Sequence, residues 1–202
     1  MTGASGFVGG EIALEFQRSG YRVTALVRPG SDRSHLAEHD IAFVEGDVTD
    51  PDAVSKAMAG QKYVCHAAAL VPGSGAVDSE FERVNVGGTR TVCEAAVASG
   101  VSRLLHVSTV YVFGTQPGAF VDENSTPPLT PHSGYDSSKV DAEAVVMAYV
   151  PKTLDAVIVN PAVVFGPRSR HSGRLIKLFL RRLLPVVPLP DRMLSLVYSG
   201  DV

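Results

Sequence analysis

Cysteine is scarce in this chain. Cys65 and Cys93 are the only two in 202 residues, too few for a disulfide framework and in neither a metal-type nor a redox-type spacing. Two buried free thiols in a reducing cytoplasm are the expectation. A basic excess is also missing. Eighteen Lys and Arg face 21 Asp and Glu, a net charge of −3, so the electrostatic footprint of a nucleic-acid binder is not there. No apolar run approaches the roughly 20 residues that span a bilayer. The opening MTGASGFVGG lacks the basic n-region and apolar h-region of a secretory signal. His35, His39, His66, His106, His132 and His171 show no ligand spacing, and no metal site is expected. Repeats and low-complexity tracts are absent. The 45% of hydrophobic residues suffices for one packed domain and the beginning of a second.

What is present alternates. Strand-like apolar runs cover 22–27, 41–44, 63–67, 104–108 and 156–159, with helix-like segments between them, a pattern that predicts an α/β fold around a parallel sheet. An amphipathic helix over 7–19 stops at Ser19-Gly20. Asp50 caps the next helix, with Pro51 at its first position. Residues 78–99 and 135–149 read as two more helices, and 175–184 as an apolar, Arg-bearing one. The Pro-, Thr-, Ser- and Gly-rich run 116–133 reads as a long loop over a site.

The glycine-rich start carries chemistry. Gly3-Ala4-Ser5-Gly6-Phe7-Val8-Gly9 has the spacing G-x-x-G-x-x-G at the head of a helix. Its glycines let the backbone approach a pyrophosphate, and the helix N-terminus offers free N–H groups to the phosphates. Such a turn normally follows the central strand of a doubly wound sheet, yet only Met1 and Thr2 precede it. Roughly four or five apolar residues, at about 1.5–3 kcal/mol each, are therefore mostly missing from the first strand. The expectation is that the natural protein starts upstream, with Met1 an alternative start codon that encodes Val in the full frame. In-frame apolar codons upstream support this; a stop codon directly upstream refutes it. The other end is as abrupt, LSLVYS running straight into Gly200-Asp201.

Past the second strand, Arg28 stands where an NAD-selective site usually has a carboxylate, with Ser31 and Arg33 nearby. An arginine there can accept the 2′-phosphate of NADP, so NADP(H) is favoured and NAD(H) remains open; solvated loop charges are the alternative. Asp47, before Val48 in Gly46-Asp47-Val48, can accept a bond from an adenine amino group.

Tyr135 and Lys139 stand four apart at a helix start, hence on one face. Lowering a phenol from about 10 by about 3 units takes roughly 4 kcal/mol, about what one ammonium supplies at ~4 Å with an effective dielectric near 20. Lys139 can thus make Tyr135 a general acid/base. Strand 104–108 ends in Ser108-Thr109, and strand C-termini face the ligand crevice. Thr109 is the candidate to bond a substrate oxygen, with Ser108 in reserve.

The stretches TGASGFVGG, GDVTD, VCHAAALV, NVGGT, HVSTVYVFG, YDSSK and NPAVVFGP, in this order, resemble the extended short-chain dehydrogenase/reductases, the NAD-dependent epimerase/dehydratase family. The resemblance implies a Rossmann domain over 1–166 and a partial substrate domain over 167–202. It implies nicotinamide-ribose contacts by Tyr135 and Lys139, cofactor-pocket backbone from Ala67, Ala68 and Ala69, a structural or cofactor role for Asn85, and Pro161 beside the nicotinamide. It also implies homodimers through 78–99 and 135–149. VTALVRPGSDRSHL and RLIKLFLRRLLPVVPLP look most like the dihydroflavonol-reductase-like and hopanoid-associated sugar epimerase-like members. The small-molecule substrate is then a nucleotide sugar or a dihydroflavonol- or steroid-like ketone, and hydride moves between nicotinamide and its hydroxyl or keto carbon. Two departures stand out. Val110-Tyr111 replaces the Asp-Glu of sugar 4,6-dehydratases, and Asn160 replaces the arginine common before Pro161. A cofactor-binding sensor or scaffold without turnover, or a non-functional gene fragment, is the rival reading. The short ends favour it, and the intact Thr109, Tyr135 and Lys139 oppose it.

Overall fold

The computed structural model describes residues 1–114, 121–125, 133–150, 153–169, 181 and 195–202. Five parallel strands form the main sheet: β1 (Val23–Val27), β2 (Ile41–Glu45), β3 (Tyr63–His66), β4 (Arg103–Val107) and β5 (Ala156–Val159). Val23 pairs with Ile41, Tyr63 with Arg103, and Leu104 with Ala156 at the strand starts. Their near-continuous apolar runs suit a sheet covered on both faces.

The gap between β1 and β3 is bridged by one residue. Thr2 forms parallel bridges to Leu26 and to His66. Leu26 N donates to Met1 O at 2.8 Å, Thr2 N to Cys65 O at 2.9 Å, and Ala67 N to Thr2 O at 3.3 Å. The order is therefore β2–β1–Thr2–β3–β4–β5. The chain reverses direction across the sheet at Thr2, which makes this the topological switch point of a Rossmann-type, doubly wound fold. The first strand is present only as this bridge.

Among the described residues, five α-helices and a π-helical insert pack with the sheet. They are α1 (Phe7–Arg18), α2 (Pro51–Met58), α3 (Asp78–Phe81), α4 (Gly88–Ala98) and α5 (Gly134–Tyr149). The caps follow the sequence. Asp50 accepts from Asp52 N and Ala53 N at the head of α2, and Ser133 accepts from Asp136 N at the head of α5. The helix expected over 78–99 is continuous but not uniform, because a π-helical segment (Glu82–Gly87) joins α3 to α4.

Strand alternation divides the core in two. Val23, Ala25 and Val27 pack with Ala13, Leu14 and Leu36 on one face. Leu26 faces the other way and joins Val54, Met58, Val64, Val92, Leu104 and Val146. Both cysteines are buried free thiols, and burial pushes each up to about 12. Short 3₁₀ turns at Ser34–Leu36 and Val110–Phe113 escape the sequence reading, since one turn carries too little periodicity to detect. A small second sheet pairs β6 (Val163–Phe165) with β7 (Leu196–Tyr198), and these strands stand on either side of the expected boundary between 166 and 167. The helix expected over 175–184 lies outside the described residues, as does most of the loop over 116–133. Among the described residues no helix is long and apolar enough to cross a membrane.

Candidate functional site

Gly3 turns with φ +78°, and a Cβ on it would stand 2.5 Å from Ala67 C and 2.6 Å from Ala68 N. A Cβ on Gly9 would run into the Gly3 carbonyl. The loop is thus wedged between α1 and the segment leaving β3, with no room for a side chain at either contact. Gly6 N donates to Gly3 O at 2.9 Å, which closes the turn and sets Gly6, in extended conformation, at the N-cap of α1. Gly6 is exposed, Ser5, Phe7 and Val8 are half-buried, and Gly9 is buried. The first N–H groups of α1 stand at this open end, which suits an anion. Ala67, Ala68 and Ala69 are half-buried beside Gly3. The cradle fits the pyrophosphate of a dinucleotide: backbone donors are at hand, and among the described residues a Cβ at Gly6 would meet only the Gly3 carbonyl.

Across the sheet, Arg28 is exposed after β1. Arg33 is engaged elsewhere, paired with Glu45 at 3.3 Å and lying 5.0 Å over the Phe43 ring. Burial pulls the Asp47 carboxyl up. Bonds from Thr49 N (2.9 Å) and Thr49 Oγ1 (2.7 Å), helped by the charges of Arg28 and Arg83, outweigh it and hold Asp47 below its usual range. Val48 is buried in the core, where its side chain would collide with a Cβ on Gly88. Any contact it makes with a ligand falls to its backbone.

The catalytic candidates converge at the far ends of β4 and β5. Thr109 extends from β4, is 8% exposed, and stands near enough to Tyr135 for its hydroxyl to favour the phenolate. Its Oγ1 also accepts from Tyr111 N at 3.3 Å. Pro161 O accepts from Val110 N at 3.1 Å, which places Pro161 next to Thr109. Ser108 is buried, and its hydroxyl has no partner among the described residues. Tyr135 packs edge-on against Phe81, ring centroids 6.0 Å apart. Lys139 is 2% exposed and donates to Val107 O at 3.0 Å.

The electrostatics differ from the sequence expectation. Burial, with Asp136 adding to it, pushes the Tyr135 phenol up to about 12, and the nearby Thr109 hydroxyl pulls the other way. The Lys139 ammonium is turned to the Val107 carbonyl. Burial brings Lys139 itself down to about 8, against the opposing pull of Glu143.

Asn85 lies in the π-helical segment, fully buried. Its Oδ1 accepts from Leu70 N at 2.7 Å, and its Nδ2 donates to Leu70 O (3.1 Å) and Ser138 Oγ (2.9 Å). Ser138 Oγ donates in turn to Tyr135 O at 2.7 Å. One chain of bonds therefore ties the Ala67–Leu70 backbone to the helix that carries Tyr135 and Lys139. Ser138 and Glu143 were missed in the sequence. Ser138 stands one turn after Tyr135, and a buried hydroxyl in a helix leaves no periodic signal. Among the described residues no cluster of His, Cys, Asp and Glu could hold a metal ion.

Comparison with known proteins agrees with this geometry. The model of the NAD dependent epimerase/dehydratase family matches residues 1–199. A protein named putative dihydroflavonol 4-reductase, from Synechocystis sp., is 33% identical over 92% of this chain and 55% of its own length. The crystal structure of gox2253 superposes with a TM-score of 0.86 at 32% identity, over 98% of this chain and 62% of that one. A double mutant of DesIV, a dTDP-glucose 4,6-dehydratase from Streptomyces venezuelae with NAD and DAU bound, gives a TM-score of 0.84 at 30% identity, over 99% and 67%. The chain spans about half the length of the first curated relatives it matches, 55% of each.

Proposed function

The chain belongs to the NAD dependent epimerase/dehydratase family, and on that premise we propose that it is the dinucleotide-binding part of an oxidoreductase or epimerase acting at a hydroxyl or keto carbon. The substrate class is a nucleotide sugar or a dihydroflavonol- or steroid-like ketone, in keeping with the names of its relatives. Residues 1–166 hold the dinucleotide and 167–202 begin the substrate-binding part. Gly3, Ser5, Gly6, Phe7, Val8 and Gly9 cradle the pyrophosphate. Ala67, Ala68, Ala69 and Pro161 line the way to the nicotinamide, and Asp47, with the Val48 backbone, holds the adenine. Arg28 favours NADP(H), since it is exposed at the end of β1 while Arg33 is taken up by Glu45.

The observation that carries this reading is Tyr135 on the same α5 face as a buried Lys139, with Thr109 beside it at the end of β4. The bound dinucleotide supplies the hydride acceptor or donor. Tyr135, protonated at neutral pH, gives its proton to the carbonyl oxygen during reduction and takes one from the hydroxyl during oxidation. Thr109 holds that oxygen by a hydrogen bond, and Ser108 offers a second hydroxyl. In the oxidation direction the Lys139 ammonium stabilises the phenolate, offsetting part of the cost of burying its charge.

Titrating the protein with NADPH and NADH, then assaying oxidation of the reduced dinucleotide with ketone substrates, tests the proposal. Tyr135→Phe is expected to cut kcat by about 10³-fold or more while leaving dinucleotide affinity within about threefold. Turnover that survives Tyr135→Phe refutes the mechanism. Binding without turnover in the unaltered protein favours the sensor reading.

A further inference from the structure

Tyr135, Lys139 and Glu143 recur every four residues on α5 and so share a face. Asn160, at the end of β5, reaches this face with one amide nitrogen. Asn160 Nδ2 donates to Glu143 Oε1 at 2.7 Å and to Thr109 O at 3.2 Å. Both protons of the amide are therefore spent, one on the helix and one on the peptide that carries the Thr109 hydroxyl. Glu143 and Asn160 are half-buried, which limits the water that could replace either bond.

We propose that Asn160 and Glu143 are positioning residues: Asn160 fixes Thr109 against the Tyr135–Lys139 face, and the Glu143 carboxylate keeps Lys139 charged. The inference rests on the catalytic reading of Thr109, Tyr135 and Lys139 given above. Among the described residues, the groups that act on Lys139 are Glu143 from its own helix, His66 from β3, and His106 and the Val107 carbonyl from β4. Both histidines are buried; burial, aided by the Lys139 charge, pushes His66 down to about 3 and His106 well below its ordinary value. An imidazole carries no negative charge in either protonation state, so neither balances the ammonium. Glu143 is the carboxylate that opposes it among the described residues. An amide is suited to the bridge because it joins the two elements without neutralising that carboxylate.

Two variants separate the bridge from the charge. Glu143→Gln keeps an oxygen for Asn160 but removes the charge. Asn160→Ala removes the bridge and keeps the charge. The Lys139 titration can be followed by NMR of lysine labelled with carbon-13 in the whole chain, which needs no turnover. In Glu143→Gln it should move to lower pH by roughly half a unit or more, and in Asn160→Ala it should stay within about 0.2 of the unaltered protein. Asn160→Ala should lower kcat about tenfold with KM and dinucleotide affinity nearly unchanged, as expected when only the placement of Thr109 is lost. A Lys139 titration unmoved in Glu143→Gln, or a kcat unmoved in Asn160→Ala, overturns the assignment of the corresponding residue. If the unaltered protein turns over no substrate, the catalytic reading fails instead, and the NMR comparison still decides the role of Glu143.

Discussion

At Gly9 one hydrogen is all the space allows, because a Cβ would enter the Gly3 carbonyl. Gly9→Ala must push the loop off α1, which should cost about 1–3 kcal/mol, the range of overpacked sites. Chemical denaturation should show this, and dinucleotide affinity should fall with it. Lys139 gives a second prediction. Its folded-state value of about 8 lies below the ordinary 10.5, so between these two pH values the unfolded chain binds the extra proton. Stability should therefore rise from pH 8 to 10.5, by on the order of 3 kcal/mol, and Lys139→Met should lose that rise. Tyr135 acts in the opposite sense. Its value is raised from 10.0 to about 12, so the folded state binds the extra proton and stability should fall as pH climbs through that interval. Unfolding midpoints measured across pH 7 to 12 check both.

Elements are held to one another by a few buried amides and hydroxyls. Asn85 clasps Leu70 with two bonds and Ser138 with one. Asn85→Leu leaves the half-buried Leu70 N–H and C=O without their side-chain partner, a loss of roughly 1–3 kcal/mol at the usual cost of unsatisfied groups, readable as a drop in Tm. This layer of the site was not legible in the sequence. Asn85 and Ser138 are 53 residues apart, and Asn160 and Thr109 are 51 apart. No spacing rule connects them, so the packing of α5 on the sheet decides the partners. The pairing of Tyr135 with Lys139 and the turn at Gly3–Gly9 were legible, since both are local and use helical periodicity or backbone sterics. The orientation of Lys139 toward Val107 O was not, because it depends on which carbonyl the sheet presents.

Over the whole molecule, the sheet is the part most plainly written in the chain. Strands covered on both faces need continuous apolar runs, and the runs at β1 to β5 fall within a residue or two of where they were expected. Leu104, fully buried on β4, should cost about 2–5 kcal/mol when truncated to alanine, and thermal unfolding checks this. The π-helical turn between α3 and α4 had no sequence signature. Its wider winding has a structural consequence. A π-type turn closes i→i+5 bonds and takes one more residue than an α turn, so the chain holds an extra residue there while α3 and α4 keep a common phase. Deleting one residue between Glu82 and Gly87 would leave Phe81 against Tyr135 but tighten the turn that carries Asn85. The widened turn brings the Asn85 amide out to Leu70 and Ser138, and the grip on the active-site face depends on that reach.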